Sequence, residues 1–260
     1  MKYGDFEGPA EELIGRKLKE IEARERVRIL YAAESGSRAW GFASPDSDYD
    51  VRFIYIRPMK HYLELQESQG VIEGAMDAIL DINGWDLSKA LRHVHKSNAT
   101  LFEWANSPVV YTAAPQWKEI WESAKAYFSC KAAMYHYYGT ARKNYARYLT
   151  GERVSYKKYF YALRPLLACK WIAEKACPPP VPFARLAGTV LEEDMRECVD
   201  RLLQAKQKMP ESEQGERIEV LHTYLEEQIS RARKTAEEMT DDRNQDWEAL
   251  NRVFMHTLES

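Results

Sequence analysis

The sequence predicts an α+β fold, in which a mixed sheet with helices is followed by an all-helical half. Strand-like runs of apolar and β-branched residues occur early, at residues 27–33 and 49–56. From residue 116 onward these signals vanish and helical spacing takes over. We therefore expect one domain over residues 1–115 and a helical domain over residues 116–260, with the functional site in the groove between them.

The composition is that of an ordinary folded protein. The chain has 260 residues, of which 45% are hydrophobic and 30% charged, and this is enough to build a core. No apolar run approaches the roughly 18 residues needed to span a bilayer. The N-terminal segment lacks a signal-peptide core, so we expect a cytoplasmic protein without a membrane partner. The four cysteines form no C-x-x-C pair, which disfavours zinc ligation and a disulfide framework.

The remaining elements follow from periodicity. A weak apolar stripe at helical spacing over residues 10–24 predicts a helix that covers the sheet. Two more strand-like segments, 71–75 and 78–83, come after an irregular connection. Helical segments are then predicted at residues 116–149, 155–176, 189–208, 215–237 and 246–258.

Two aspartates at the start of the second strand are the first candidates for chemistry. Alternation along residues 48–55 places Asp48, Asp50 and Arg52 on one face of the strand. Two carboxylates this close repel each other unless a cation lies between them, and hard oxygen ligands suit Mg²⁺ or Mn²⁺. The strand is therefore predicted to hold a divalent metal.

A Gly-Ser pair follows the first strand. At a strand-to-helix turn, backbone N–H groups are exposed to an anion. Gly36 would let the backbone approach a phosphate closely, and the hydroxyl and N–H of Ser37 could bond a phosphate oxygen. Arg38 is either a phosphate contact or a salt-bridge partner of Glu34 or Asp46.

The order strand, Gly-Ser, ten residues and Asp-x-Asp on the next strand resembles the signature of the DNA polymerase β nucleotidyltransferase superfamily. The string GSRAWGFASPDSDYDVRFIY, with DINGWDLSKAL and NATLFEWANSPVVY downstream, is most similar to its YcgL/RlaP branch, which is linked by name to RNA repair. The similarity covers residues 25–190. It implies metal-dependent transfer of a nucleoside monophosphate from a nucleoside triphosphate to a hydroxyl group, by a two-metal mechanism.

The superfamily pattern also asks for a third carboxylate on a neighbouring strand. Asp77, Asp81 and Asp86 are the candidates. Asp86 precedes a helical pattern and is better explained as its N-cap, while Asp77 falls at a turn. Asp81 lies inside the apolar run and is our choice, so Asp48, Asp50 and Asp81 are the predicted catalytic and metal-binding residues.

A basic, tyrosine-rich segment marks the helical half. Residues 131–170 contain nine Lys or Arg against one acid, Glu152, and eight of the sixteen tyrosines. Phosphates attract cations and bases stack on aromatic rings, although a solvated helix face above packed tyrosines has the same composition. We expect nucleotide contacts from Lys157, Lys158, Tyr159 and Arg164.

The charge of this segment exceeds what one triphosphate needs, which predicts a polyanionic second substrate. RNA is the expected acceptor, bound through Arg142, Lys143, Arg147, Lys157 and Lys158. Two alternatives stand beside this prediction: an antitoxin-like enzyme that transfers AMP to a protein, and a nucleotide-binding module without catalysis. The presence of both Asp48 and Asp50 favours an enzyme.

Overall fold

The computed structural model describes residues 9–44, 47–66, 69–74, 79–208 and 214–260. Within these ranges the chain divides into two compact units. The sheet unit takes in the described parts of Met1–Ala39, Asp48–Tyr127 and Asn244–Ser260, and the helical unit those of Trp40–Ser47 and Phe128–Arg243. Asp46 and Asp77 lie outside the described residues.

The sheet unit contains a five-stranded mixed sheet with the strand order β3-β4-β2-β1-β5. Strands β2 and β4 are parallel, and the other neighbours are antiparallel. This confirms the predicted mixed sheet, to which the structure adds a short, mostly exposed edge strand that the sequence did not signal. The strands are β1 (Arg28–Glu34), β2 (Tyr49–Ile56), β3 (Val71–Glu73), β4 (Leu80–Asp86) and β5 (Val110–Ala113).

Twelve helices are found in the described part of the chain. They are α1 (Ala10–Glu25), α2 (Gly36–Trp40), α3 (Met59–Tyr62), α4 (Leu87–His95), α5 (Ala99–Ala105), α6 (Pro115–Lys125), α7 (Cys130–Tyr148), α8 (Tyr156–Lys175), α9 (Phe183–Val190), α10 (Glu193–Lys208), α11 (Glu219–Glu238) and α12 (Glu248–Glu259). None of these helices is long and apolar enough to cross a membrane.

Alternation along β2 builds a core on each face of the sheet. Val51, Phe53 and Tyr55 belong to a buried cluster that also contains apolar residues of α1, so this helix covers one face, as its stripe predicts. Ile54 and Ile56 point the other way, into a second cluster with residues of α4, α5, α6 and α12. The polar positions of β2 are left at its N-terminal end, where the candidate site lies.

The compact units differ from the expected division at residue 115. Ile120 of α6 and Leu250 of α12 share a buried cluster with strand residues Leu30 and Ile54. These two helices therefore belong to the sheet unit, although their sequences lie in the part predicted as the helical domain. Helical periodicity shows that a segment is a helix, but it does not show which core the helix joins.

The helical unit is built around α7, α8 and α11 and is not entirely helical. A two-stranded antiparallel sheet joins β6 (Arg153–Ser155) to β7 (Gln214–Glu216), which corrects the expectation of an all-helical second half. A Cβ atom at Gly215 would lie 2.3 Å from the phenolic oxygen of Tyr156. The absence of a side chain on Gly215 therefore lets β7 lie against the start of α8.

The N-terminus of α7 is capped twice. The Ser129 hydroxyl accepts a hydrogen bond from the N–H of Ala132 at 3.0 Å, as an N-cap does. The Asp242 carboxylate accepts the N–H groups of Cys130 at 2.8 Å and Lys131 at 3.3 Å. Partial burial raises the pKa of Asp242, but hydrogen bonds from Ser129 and from these backbone groups outweigh it, so the net pKa is lowered. The carboxylate thus stabilises the helix in its ionised form.

Candidate active site

The Gly-Ser turn packs directly against the aspartate strand. Gly36 has a φ angle of +60°, which only glycine adopts easily. A Cβ atom at this position would lie 2.1 Å from Oδ2 of Asp50, so no other residue fits without displacing the carboxylate. Ser37 is buried beside it. The turn that the sequence assigns to phosphate binding is therefore closed onto the Asp50 side chain.

Asp50 and Asp81 lie side by side on neighbouring strands. They are register partners in the parallel pair β2–β4, as the choice of Asp81 requires. Nη2 of Arg52 lies 3.1 Å from Oδ1 of Asp50 and 2.7 Å from Oδ2 of Asp81. The two carboxylates remain 32% and 40% exposed. They therefore form a solvent-accessible pair that already shares one cation.

Arg52 is held in this position by the backbone. Its Nη1 donates to the carbonyl oxygens of Val51 and Asp81, each at 3.1 Å. Sequence reasoning placed Arg52 on the carboxylate face but gave it no role. A guanidinium between two carboxylates offsets part of the repulsion between them.

Asp48 stands just before β2 and is exposed. Its backbone carbonyl accepts a hydrogen bond from Nε of Arg38 at 3.1 Å. The Arg38 guanidinium also stacks on Tyr49, with its central carbon 3.7 Å from the ring centroid. These contacts tie α2 to the beginning of β2, so Arg38 has a positioning role here.

Glu34 is a residue whose importance the sequence analysis missed. It ends β1, is 1% exposed, and accepts the N–H of Asp50 through Oε1 at 2.8 Å. The Tyr111 hydroxyl donates to its other carboxylate oxygen, and the Ser107 hydroxyl donates to its carbonyl at 2.6 Å. Burial raises the pKa of Glu34, and the charge of Asp50 adds to this, against the two hydrogen bonds to its carboxylate. The sequence signal that could have identified Glu34 is that it is the one acidic residue of the apolar strand β1 and ends that strand just before the Gly-Ser pair.

The structure separates the candidates for the third carboxylate. Asp86 is buried and caps α4, accepting the N–H of Ser88 at 2.8 Å and the hydroxyl of Tyr62 at 2.7 Å. This confirms the N-cap prediction, and it leaves Asp86 with its oxygens occupied. Asp81 faces Arg52 and Asp50 instead. Of the two candidates that the structure describes, only Asp81 lies at the site.

The donor set is suited to a hard cation, but three carboxylates do not converge. Among the described residues, no group of three or more His, Cys, Asp or Glu side chains is arranged to hold a metal ion. Asp50 and Asp81 do converge, since oxygens of both lie within 3.1 Å of the same guanidinium nitrogen. The Asp48 carboxylate forms no hydrogen bond or ion pair within the described chain. Two converging oxygen ligands and an uncommitted third are compatible with Mg²⁺ or Mn²⁺.

Two residues predicted to contact the nucleotide are part of the helical unit's interior. Tyr159 is 0% exposed, and its hydroxyl accepts the N–H of Ile218 at 2.9 Å and bonds Nε2 of His222 at 2.9 Å. Arg164 is 2% exposed and donates through Nη2 to the carbonyl of Val181 at 3.2 Å. These placements correct the sequence expectation. A segment rich in tyrosine and arginine can lie in a core as well as on a binding surface, so its composition does not show which of its residues are exposed.

The lysines of the same segment are half-buried and lie beside tyrosine rings of the helical unit. Nζ of Lys158 is 4.4 Å from the ring centroid of Tyr148 and 4.6 Å from that of Tyr161, and Nζ of Lys157 is 5.6 Å from Tyr161. The Arg147 guanidinium lies 5.1 Å from the Tyr148 ring centroid. We give the name α7–α8 cation face to the residues Arg142, Lys143, Arg147, Tyr148, Lys157, Lys158 and Tyr161, among which Arg142 and Lys143 are exposed.

The mixed sheet with the Gly-Ser turn after β1 is that of a polymerase β-like nucleotidyltransferase fold. Comparison with known proteins agrees with this class. The chain belongs to the RlaP family, described as the RNA repair pathway DNA polymerase beta family, which it matches over residues 10–256. The resemblance inferred from the motifs is thereby confirmed.

Two similar proteins can be named. The chain is 42% identical over 248 residues to the uncharacterized protein YcgL of Bacillus subtilis (strain 168), and the match covers 94% of each chain. A crystal structure of a nucleotidyltransferase-like protein from Exiguobacterium sibiricum 255-15 matches with a TM-score of 0.29 and 11% identity, covering 95% of this chain and 80% of that one.

Proposed function

We propose that the protein is a metal-dependent nucleotidyltransferase that moves a nucleoside monophosphate from a nucleoside triphosphate to a hydroxyl group of RNA. The observation that carries the proposal is the juxtaposition of Asp50 and Asp81 on parallel strands, with Gly36 closed against Asp50. A pair of accessible carboxylates beside a glycine turn is an arrangement that serves phosphoryl chemistry better than packing.

Asp48, Asp50 and Asp81 would hold Mg²⁺ or Mn²⁺. When bound, the metal would activate the attacking hydroxyl and neutralise charge on the triphosphate and the leaving pyrophosphate. Arg52 now provides the positive charge between Asp50 and Asp81, so a divalent cation competes with this guanidinium for the same oxygens. Metal affinity therefore depends on how strongly the backbone carbonyls retain Arg52.

The surrounding residues position this set. The Glu34 carboxylate, at the end of β1, accepts the N–H of Asp50, and Arg38 of α2 donates to the carbonyl of Asp48. Both contacts fix the backbone of the aspartate strand rather than its carboxylates. Ser37 and the guanidinium of Arg38 are proposed phosphate contacts, because they flank the turn that approaches Asp50.

RNA as the acceptor is supported by the family's description and by the α7–α8 cation face. That face carries cations in contact with tyrosine rings, which is a combination suited to a phosphate backbone with stacked bases. Lys157 and Lys158 of this face remain proposed RNA contacts, whereas the buried Tyr159 and Arg164 are withdrawn as proposed contacts.

One observation favours a second candidate, a nucleotide-binding module without catalysis. Arg52 pairs with both carboxylates at short distance, and such a pair resists displacement by a metal. The two candidates differ in turnover rather than in nucleotide binding.

The test uses the purified full chain with each NTP labelled at its α-phosphate, Mg²⁺ or Mn²⁺, and either total RNA or total protein. We expect label in RNA. Transfer should fall in Asp50→Asn and Asp81→Asn by more than the roughly 10–100-fold that loss of an outer-shell partner costs. Glu73→Gln, which removes an exposed carboxylate from the edge strand β3, is the matched control and should leave transfer unchanged.

Each contrary result has a definite meaning. Nucleotide binding without transfer to any acceptor would support the non-catalytic module. Label in protein but not in RNA would support the AMP-transferring alternative. No binding of any NTP with either metal would refute the nucleotidyltransferase proposal.

A further inference from the structure

A pocket lined by three arginines lies at the opposite end of the central strands from the carboxylates. It is formed where β1 begins, β2 ends and α12 ends, and it has a volume of about 270 Å³. Its charged lining residues are Arg26, Arg28 and Arg57, and we call it the arginine pocket. The other lining residues are Val27, Ile56, Pro58, Thr257, Leu258 and Ser260.

Within the part of the chain that the structure describes, the guanidinium groups of Arg28 and Arg57 contact backbone carbonyls rather than acids. Arg28 donates through Nη2 to the carbonyl of Thr257 at 3.1 Å, and Arg57 donates through Nη1 to the carbonyl of Glu25 at 3.1 Å. Nε of Arg57 is buried and has no hydrogen-bond partner in the described chain. The nearby Glu25 carboxylate is paired with Arg24 at 2.9 Å. No carboxylate of the described residues forms an ion pair with Arg26, Arg28 or Arg57.

The charges of this arrangement suit an anion. Three positive charges around one cavity repel one another, and the buried Nε–H of Arg57 lacks an acceptor in the described chain. The two carbonyl contacts, at the ends of α1 and α12, each use one N–H of a guanidinium that has five. The Arg57 guanidinium also lies 5.4 Å from the centroid of the Tyr55 ring. The N–H groups that these contacts leave over suit the bidentate hydrogen bonds that arginine makes with phosphate.

We propose that the arginine pocket binds a phosphate group, supplied by inorganic phosphate, pyrophosphate or a nucleotide. Its position makes it a site separate from the candidate active site. Asp50 is near the start of β2 and Arg57 directly follows its end, so seven residues at about 3.3 Å each place them about 23 Å apart. A triphosphate bound at the carboxylates does not reach this pocket, and the proposal does not depend on nucleotidyl transfer.

Titration calorimetry on the full chain in EDTA tests the proposal, because the candidate active site then has no divalent metal. Inorganic phosphate, pyrophosphate and AMP are the three probes. We expect one saturable site, and at least tenfold weaker binding in Arg28→Gln and in Arg57→Gln. Arg252→Gln is the matched control, since it removes an exposed arginine of α12 that pairs with Glu248, and it should bind like the wild type.

The three probes identify the source of the phosphate. Binding of all three at similar affinity would show that the phosphate group alone is recognised, whereas tighter binding of pyrophosphate or AMP would identify that source. If circular dichroism shows that a glutamine variant is unfolded, Arg28→Lys and Arg57→Lys replace it. They keep the charge but lose the bidentate fork, and they should bind several-fold more weakly. Absence of binding by the wild type, or equal weakening in Arg252→Gln, would overturn the proposal.

Discussion

The Gly36→Ala variant tests how closely the Gly-Ser turn packs against Asp50, because it adds a Cβ atom at the point of contact. The new Cβ atom would lie 2.1 Å from Oδ2 and 3.0 Å from Cγ of Asp50, but 3.5 Å from its Cβ. The first two distances are steric overlaps, and the third is an ordinary contact. Gly36→Ala therefore strains the backbone at φ +60° and also forces the carboxylate away.

The two costs can be estimated separately. A left-handed conformation costs a non-glycine residue about 1–2 kcal/mol. Overpacking costs about 1–3 kcal/mol more, because Asp50 is held by Arg52 and cannot move without losing that contact. We expect Gly36→Ala to lower the free energy of unfolding, measured with urea, by the sum of these two terms.

Gly41 supplies the matched control. It has a φ angle of +83°, and no described atom outside its chain neighbours lies within 4 Å of the position of its Cβ. Gly41→Ala should therefore cost only the backbone term of about 1–2 kcal/mol.

Asp50→Ala isolates the steric term. It removes the overlapping atoms and leaves the contact at 3.5 Å. In that background Gly36→Ala should cost only the backbone term, so a double-mutant cycle should give a coupling energy of about 1–3 kcal/mol. The reasoning fails if Gly36→Ala and Gly41→Ala cost the same, or if Asp50→Ala does not reduce the cost at Gly36.

Three further predictions concern pH and salt. Asp242→Ala should cost about 1 kcal/mol at neutral pH, because it removes the second of the two caps of α7 and leaves Ser129 in place. The folded pKa of Asp242 is lowered, so this stabilisation is present above the unfolded pKa of about 3.9 and is lost as the pH falls through the folded pKa. Burial raises the folded pKa of Glu34, so ionisation of this carboxyl opposes folding. The wild type should therefore lose stability as the pH rises from the unfolded pKa of about 4.3 through the folded pKa, and Glu34→Gln should abolish this loss. Lys157→Glu with Lys158→Glu should weaken RNA binding alike for all sequences and reduce the slope of log affinity against log salt by about 0.7 per lost contact.

The checks are melting curves at several pH values for the first two variants and binding titrations between roughly 50 and 200 mM salt for the third. If Asp242→Ala differs from the wild type equally at acid and neutral pH, the carboxylate charge is not what caps α7. A wild type whose stability relative to Glu34→Gln is independent of pH would contradict the raised pKa. Lys234→Glu, on α11, is the control for RNA binding, and an effect equal to that of either lysine reversed singly would show that only net charge matters.

The sequence determined by itself the parts of the protein that depend on neighbours along the chain. Alternation along residues 49–56 predicted which side chains of β2 are buried on each face, because successive residues of a strand point in opposite directions. The position of Asp86 before a helical pattern predicted its N-cap, which is a contact between residues two apart. The spacing between Gly-Ser and Asp-x-Asp pointed to the family because it, too, is a pattern of residues close together in the chain.

Only the tertiary structure decided which residues from distant parts of the chain meet. Glu34 receives hydrogen bonds from Asp50 and Tyr111, which are 16 and 77 positions away, and no local pattern encodes such a contact. Arg52 and Asp81 are joined by strand pairing, whose register is set by the packing of both faces of the sheet.

Burial in the helical unit was likewise decided in three dimensions. Tyr159 and Arg164 share a basic, aromatic segment with Lys157 and Lys158, yet the first two are in the interior and the lysines are not. A helix turns 100° per residue, so neighbours in sequence face different surroundings, and composition averages over them. Which surroundings each residue meets depends on the helices that pack against α8, and that packing is a property of the folded chain.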